Sequence, residues 1–244
     1  MTSFSSTEPE IHVKRHTPDS PWTYALLDRF QREIAARVRA GGAGALILSE
    51  LAPVITLGKR SHAGAKSEDL LVSRSFLASQ GVEVLQTDRG GLATYHGPGQ
   101  WVLFVVDSLE RLTGDSRGVR SAVESLMNIA LTVGLEYDST ASIREGAETG
   151  VWTSRGKFAS VGVHIQDRVL LHGLSVNGFR TPTSFLGIRP CGLDAHMDFL
   201  LRSEGKANSE AFLELGERLR QQALQRFWKN SRHRSLTGLD GGPR

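Results

Sequence analysis

The sequence predicts an α/β (α+β) fold, a mixed β-sheet flanked by helices. Apolar residues recur at helical spacing in three segments, short Val/Ile/Leu-rich runs lie between them, and two adjacent runs in the second half of the chain alternate like a hairpin. At 244 residues, 39% hydrophobic and 23% charged, with 26 Gly and 8 Pro, the composition suits an ordinary globular domain and excludes collagen, coiled-coil and wholly disordered readings.

The first helix is signalled by Ser20 as N-cap and Pro21 at the first helical position, then Leu26, Phe30, Ile34 and Val38 at spacing four, with Gly41-Gly42 as a stop. Ala45–Leu48 and Val54–Leu57 read as short buried strands parted by a turn at Pro53. A short helix over Arg74–Gln80 ends at Gly81, and Val82–Gln86 reads as the next strand. Trp101–Val106 is apolar throughout, the pattern of a strand covered on both faces. Val119, Val123, Leu126, Ala130 and Val133 then repeat with helical period and stop at Gly134.

A β-rich stretch follows: Val151–Trp152, Lys157–Ile165 and Arg168–Val176, the last two joined by a turn at Gln166-Asp167. In the middle run Val161, Val163 and Ile165 alternate with Ser160, Gly162 and His164, so one face is apolar and the other small and polar. A last helix spans about Ser209 to Phe227 and buries Phe212, Leu215, Leu219 and Phe227. No repeat or low-complexity linker marks a domain boundary.

The longest apolar run falls short of the ~18 residues a membrane span requires, and the N-terminus lacks an apolar signal core, so a soluble cytoplasmic protein is expected. The one cysteine, Cys191, permits neither an internal disulfide nor a multi-thiolate zinc site, and the eight His form no HxH or HExxH pattern, so no metal is expected. Lys+Arg 29 against Asp+Glu 26 leaves +3, far from a nucleic-acid footprint. The densest basic cluster, Lys229 to Arg234, sits in a terminal tail.

Four segments could carry chemistry. RGGLATYHGPGQ (Arg89 to Gln100) sets four glycines around Tyr95, His96 and Pro98, which is neither a phosphate-binding loop pattern nor, on composition alone, distinguishable from a tight hairpin. GKFASVG (Gly156 to Gly162) begins with Lys157 among apolar neighbours, either a desolvated amine or a lysine guarding a strand end. HGLSVNG (His172 to Gly178) places His172 on a strand face with Leu170, Leu174 and Val176, where a satisfied core histidine is the ordinary reading. IRPCGLD (Ile188 to Asp194) holds Cys191 in a Pro/Gly turn near Arg189, a setting that favours a nucleophilic thiolate over an inert buried thiol.

Taken jointly and in this order, the four segments resemble the lipoyl(octanoyl) transferase family over roughly residues 45 to 200. The resemblance implies the fold shared by lipoate–protein ligase and biotin protein ligase catalytic domains. It implies an acyltransferase that moves an octanoyl (or lipoyl) group from acyl carrier protein to one lysine of lipoyl domains of 2-oxoacid dehydrogenase complexes, or of the glycine cleavage H protein. No cofactor is implied, nor any nucleic acid or membrane partner. Carried over by motif, Cys191 is the acyl-thioester nucleophile and Lys157 tunes its protonation. Arg89, Gly90, Gly91, Leu92, Ala93, Thr94, Tyr95 and His96 match the acyl-binding stretches, as do Ser160, Val161, Gly162, Gly173, Leu174 and Ser175. His96 and His172 are candidates for holding Lys157 or the acyl thioester in place.

Thioester exchange onto cysteine roughly conserves bond energy, and attack by an amine on that thioester runs downhill to an amide, so neither step needs ATP. A cysteine of ordinary pKa, about 8.5, is mostly thiol at neutral pH and needs a neighbouring base or cation. Beyond P-C-G the chain carries DAHMDFL (Asp194 to Leu200), where the family often carries a Thr/Ser pair before Leu, a departure that bears on partner selection. Rival readings are an octanoyl or lipoyl amidotransferase between protein lysines, an ATP-dependent ligase on the same fold and a non-catalytic acyl-binding module. The expected organisation is a flexible segment over residues 1–15, one acyltransferase domain over 16–228 and a flexible tail over 229–244.

Overall fold

The computed structural model describes residues 8–61, 70–189, 196–202 and 206–229. Their elements are Glu10–Arg15 (β1), Tyr24–Arg39 (α1), Ala45–Glu50 (β2), Val54–Leu57 (β3), Arg74–Ser79 (α2), Glu83–Gln86 (β4), Thr94–His96 (β5), Gln100–Ser108 (β6), Leu109–Thr113 (α3), Val119–Tyr137 (α4), Ser142–Arg144 (β7), Gly150–Thr153 (β8), Gly156–Gln166 (β9), Val169–Asn177 (β10) and Lys206–Leu224 (α5), which runs into a π-type turn at Gln225–Lys229. The main sheet has seven strands in the order β1-β2-β6-β10-β9-β8-β7, with β1 and β2 parallel and every other pairing antiparallel. A smaller sheet, β4-β3-β5, stands beside it.

The run Trp101–Val106 is apolar at every position because both of its faces are covered. Trp101, Leu103 and Val105 join the layer of α4 and α5 with Leu126, Val133, Phe212 and Leu219. Val102, Phe104 and Val106 join the layer of α1 with Leu27, Ile34 and Val38. A third cluster, with Ile55, Leu57, Leu77 and Tyr95, fills the space under the small sheet. Sandwiching a sheet between helical layers in this way satisfies two-period and 3.6-period patterns at once.

Four expectations are corrected. Glu10–Arg15 pairs in register with Ala45–Glu50 rather than lying outside the domain. Its apolar side chains Ile11 and Val13 face outward at 44% and 52% exposure, so the strand carries no burial signature. Helix α1 is capped by Thr23, whose hydroxyl accepts from Leu26 N–H, not by Ser20. Gly134 is not a helix stop: it lies inside α4, where a Cβ would come within 2.4 Å of the Phe158 ring. The β9–β10 turn is centred on Asp167 and Arg168, whose φ values of 50° and 63° give the twist a two-residue hairpin needs.

Candidate active site

Strands β9 and β10 bring two of the sequence motifs face to face. Gly162 pairs with Gly173, Val161 with Leu174 and Ser160 with Ser175. Val161, Val163 and Ile165 pack toward the α4/α5 core, which leaves Ser160, Gly162 and His164 on the opposite face. The loop of Arg89 to Gly91 lies across that face. Gly90 N–H donates to Val163 O at 2.9 Å, and a Cβ at Gly162 would meet Gly90 O at 3.0 Å, so the approach of loop to strand depends on the missing side chain.

The same loop is fixed from its other side by the backbone that follows β3. Lys59 N–H donates to Arg89 O and Arg60 N–H to Gly91 O, while a Cβ at Gly58 would fall 2.3 Å from Gly91 O. The Arg89 guanidinium is buried and points inward, donating to the Thr56 hydroxyl and carbonyl and to Gly90 O. Leu92 is half-buried, and Ala93, Thr94, Tyr95 and His96 are buried as the motif enters β5, with the Tyr95 hydroxyl paired to Thr183 Oγ1 at 2.8 Å. The glycine-rich segment is thus more than a hairpin: it bridges the two sheets.

Asp88, one residue before the loop, is a junction that no sequence pattern marked. Its carboxylate receives Nε2 of His172 at 2.8 Å and Arg32 at 2.9 Å, and His164 stands 3.4 Å away. The hydrogen bond from His172 does most to hold the Asp88 carboxyl well below the usual carboxylate range; burial opposes it and Arg32 reinforces it. One oxygen of Asp28, one of Asp88 and a nitrogen of His172 lie within 4.8 Å of one another, a spacing a metal ion could use. Arg32, however, donates to both carboxylates and supplies the positive charge there.

His172 does not share the face of Leu170, Leu174 and Val176, as strand alternation predicts. Its φ of 63° turns the ring to the opposite side, among Tyr24, Gln31 and Phe104. Nor does it stand beside Lys157, because its strand partner is Val163, six positions along β9 from the lysine (163 − 157).

Lys157 is 2% exposed. Its Nζ donates to Thr149 O at 2.7 Å and lies 5.8 Å from the centroid of the Trp152 ring. Its backbone is clasped by the chain that follows the cysteine motif: Lys157 N–H donates to His196 O, and Asp198 N–H donates to Lys157 O, both at 2.9 Å. Asp198 is itself buried and accepts from Thr153, Arg155 and Arg202.

A buried relay of side chains ties His96 to this place. His96 Nδ1 meets Gln100 Oε1 at 2.7 Å, Gln100 Nε2 donates to Asn177 Oδ1 at 2.9 Å, and Asn177 Nδ2 donates to Asp198 O at 3.0 Å and Lys157 O at 3.4 Å. Burial pushes the His96 pKa down to about 3, with the nearby Arg89 charge adding to it, so the ring is neutral at neutral pH. Of the sequence candidates, the structure gathers the loop, the two paired strands and the His96–Lys157 connection. Cys191 lies outside the described residues. Gln100 and Asn177 lie inside the segments RGGLATYHGPGQ and HGLSVNG without being given a role there, and Asp198 follows the P-C-G motif; isolated amides and carboxylates leave no periodic trace.

This arrangement, a sheet with helices on both faces and a glycine-pinned loop across one of them, defines the class of lipoate-ligase-like catalytic domains. The lipoate complex of LipL1 from P. falciparum superposes with a TM-score of 0.63 at 13% identity, covering 91% of this chain and 63% of that one. A bi-partite lipoate protein ligase from Thermoplasma acidophilum, studied with its E2 lipoyl domain, gives 0.53 at 15% identity over 92% of this chain and 84% of that one. Residues 24–204 match the lipoyl protein ligase A/B catalytic domain, and the chain belongs to that family. Its relatives include the octanoyltransferase of Magnetococcus marinus, 38% identical over 188 residues, which are 76% of this chain and 82% of the relative. That of Nitratidesulfovibrio vulgaris strain Hildenborough is 35% identical over 205 residues, 84% and 90% of the two chains. No helix among the described residues is long and apolar enough to cross a membrane.

Proposed function

We propose that this protein is a cytoplasmic octanoyltransferase, which moves an octanoyl group from acyl carrier protein to a specific lysine of lipoyl domains, including the glycine cleavage H protein, by way of a thioester on Cys191. The reading is carried by one observation beyond its relatives: a buried lysine amine whose own backbone is bonded on both sides to the first described residues after the cysteine motif.

In the first half-reaction the Cys191 thiolate attacks the donor thioester carbonyl. The tetrahedral intermediate collapses with loss of the donor thiolate, which takes a proton from the Lys157 ammonium, and the acyl group stays on sulfur. In the second, the acceptor lysine attacks that thioester. Lys157, now an amine, takes the proton released as the amide forms, and the Cys191 thiolate departs. The loop of Arg89 to His96 and the paired stretches Ser160 to Gly162 and Gly173 to Ser175 receive the acyl chain, with glycine giving it room.

Octanoyl-acyl carrier protein mixed with a lipoyl domain and this protein should yield octanoylated domain without ATP. Labelling only from free octanoate and ATP would instead make the protein a ligase.

A further inference from the structure

We propose that His172 is a positioning residue for the Arg89–Gly91 loop, acting through Asp88, and that it governs how tightly the acyl donor is held rather than how fast its proton is moved. The inference rests on the octanoyl-transfer reading for its kinetic form, and on the hydrogen-bond geometry alone for its structural form.

The hydrogen-bond partners assign the ring's orientation and tautomer. Gln31 Oε1 accepts the backbone N–H of His172 at 2.9 Å, so the Gln31 amide nitrogen, 3.1 Å from Nδ1, must be the donor. Nδ1 is therefore the acceptor, and Nε2–H donates to Asp88. The Tyr24 hydroxyl lies 3.2 Å from the same Nδ1. A histidine serving only to fill the core could sit in ordinary extended backbone. This one occupies a left-handed conformation in the middle of β10, and that conformation is what aims its N–H at the carboxylate.

Asp88 passes the constraint on. It is covalently joined to Arg89, and it is tied at the same time to β10 through His172 and to α1 through Arg32. The loop's backbone bonds, Lys59 N–H to Arg89 O and Gly90 N–H to Val163 O, begin one and two residues past Asp88, so on this proposal they follow the direction in which Asp88 feeds the chain. His172 is separated from Lys157 along the sheet by six residues, about 20 Å at 3.3 Å per residue, which leaves the loop and not the amine as the part it can influence.

The test uses the full chain with octanoyl-pantetheine thioester as donor and a lipoyl domain as acceptor. His172→Gly keeps the left-handed backbone free of strain while removing the ring, and Asp88→Asn is a second variant for which the ring remains. Each should raise the donor KM about tenfold with kcat within about twofold, and the double variant should be no worse than either single one. Hydrogen exchange at the Gly90 and Lys59 amides should accelerate about tenfold in both variants while β2 stays protected. A fall in Tm with unchanged KM and unchanged loop exchange would reduce His172 to a structural role and overturn the proposal. A loss confined to kcat would do the same. Wild-type protein that transfers nothing refutes the octanoyl reading, and the exchange rates still decide this one.

Discussion

Gly150 vacates the space that the side chain of Lys157 fills. A Cβ at Gly150 would lie 2.3 Å from Lys157 Cε and 2.6 Å from Ala159 O, at a φ of +150° that side chains rarely adopt. Gly150→Ala should cost roughly 1–3 kcal/mol of stability from backbone strain and displace the amine. Urea unfolding reads the first effect and transfer rate the second, with a loss of at least about tenfold expected. Wild-type activity in a folded Gly150→Ala protein would separate Lys157 from the chemistry.

Removing the amine itself is the cleaner cut. Lys157→Ala should fold, since the bonds to His196 and Asp198 are made by its backbone, yet lose about 10²–10⁴-fold in transfer at neutral pH. Lys157→Arg should be equally inactive, because a guanidinium cannot give up its proton. Turnover measured alongside the melting temperature distinguishes loss of chemistry from loss of fold; undiminished turnover in either variant counts against a proton-transfer role.

Gly134 sets helix propensity against packing. In an exposed helix Gly→Ala gains about 1 kcal/mol. Here the new methyl would stand 2.4 Å from Phe158 Cζ and 3.1 Å from Cε2, on a ring that is fully buried. Overpacking of roughly 1–3 kcal/mol should prevail, making Gly134→Ala destabilising overall. A stabilised variant in chemical denaturation would mean the ring can move aside.

His96 gives stability a pH dependence of definite sign. Its folded pKa, about 3, lies below the ordinary value of 6.5, so between these the unfolded chain binds a proton that the native state refuses. Stability is intact above pH 6.5 and falls by up to about 1.4 kcal/mol per pH unit as pH drops toward 3. Asp88 works in the same direction, but only below about pH 4, where the unfolded carboxyl takes up its proton. Unfolding free energies at pH 7 and pH 5 should therefore differ less in His96→Gln than in wild type. Equal differences would show that His96 is not buried neutral.

What the sequence made legible was whatever repeats. The spacing of Leu126, Ala130 and Val133, the alternation of Val161, Val163 and Ile165, and the unbroken run from Trp101 to Val106 each matched a layer of the core. What it concealed was set by single backbone angles and long-range pairs. Alternation places His172 on the wrong face because it assumes a negative φ. β1 was missed because an edge strand with outward Ile11 and Val13 buries little. Asp88 and Asn177 act between residues 84 and 20 positions apart, a separation to which no local pattern is sensitive. Among the described residues, the motif positions that the resemblance singles out converge at the loop and strands.

Intact-mass spectrometry after mixing the protein with octanoyl-acyl carrier protein, acceptor omitted, reads the acyl-enzyme directly. One octanoyl adduct on wild type, mapped to Cys191, absent from Cys191→Ser and discharged when a lipoyl domain is added, is the expected result. A wild-type protein that stays unacylated while still octanoylating the lipoyl domain, or an adduct that persists in Cys191→Ser, would contradict catalysis through the cysteine.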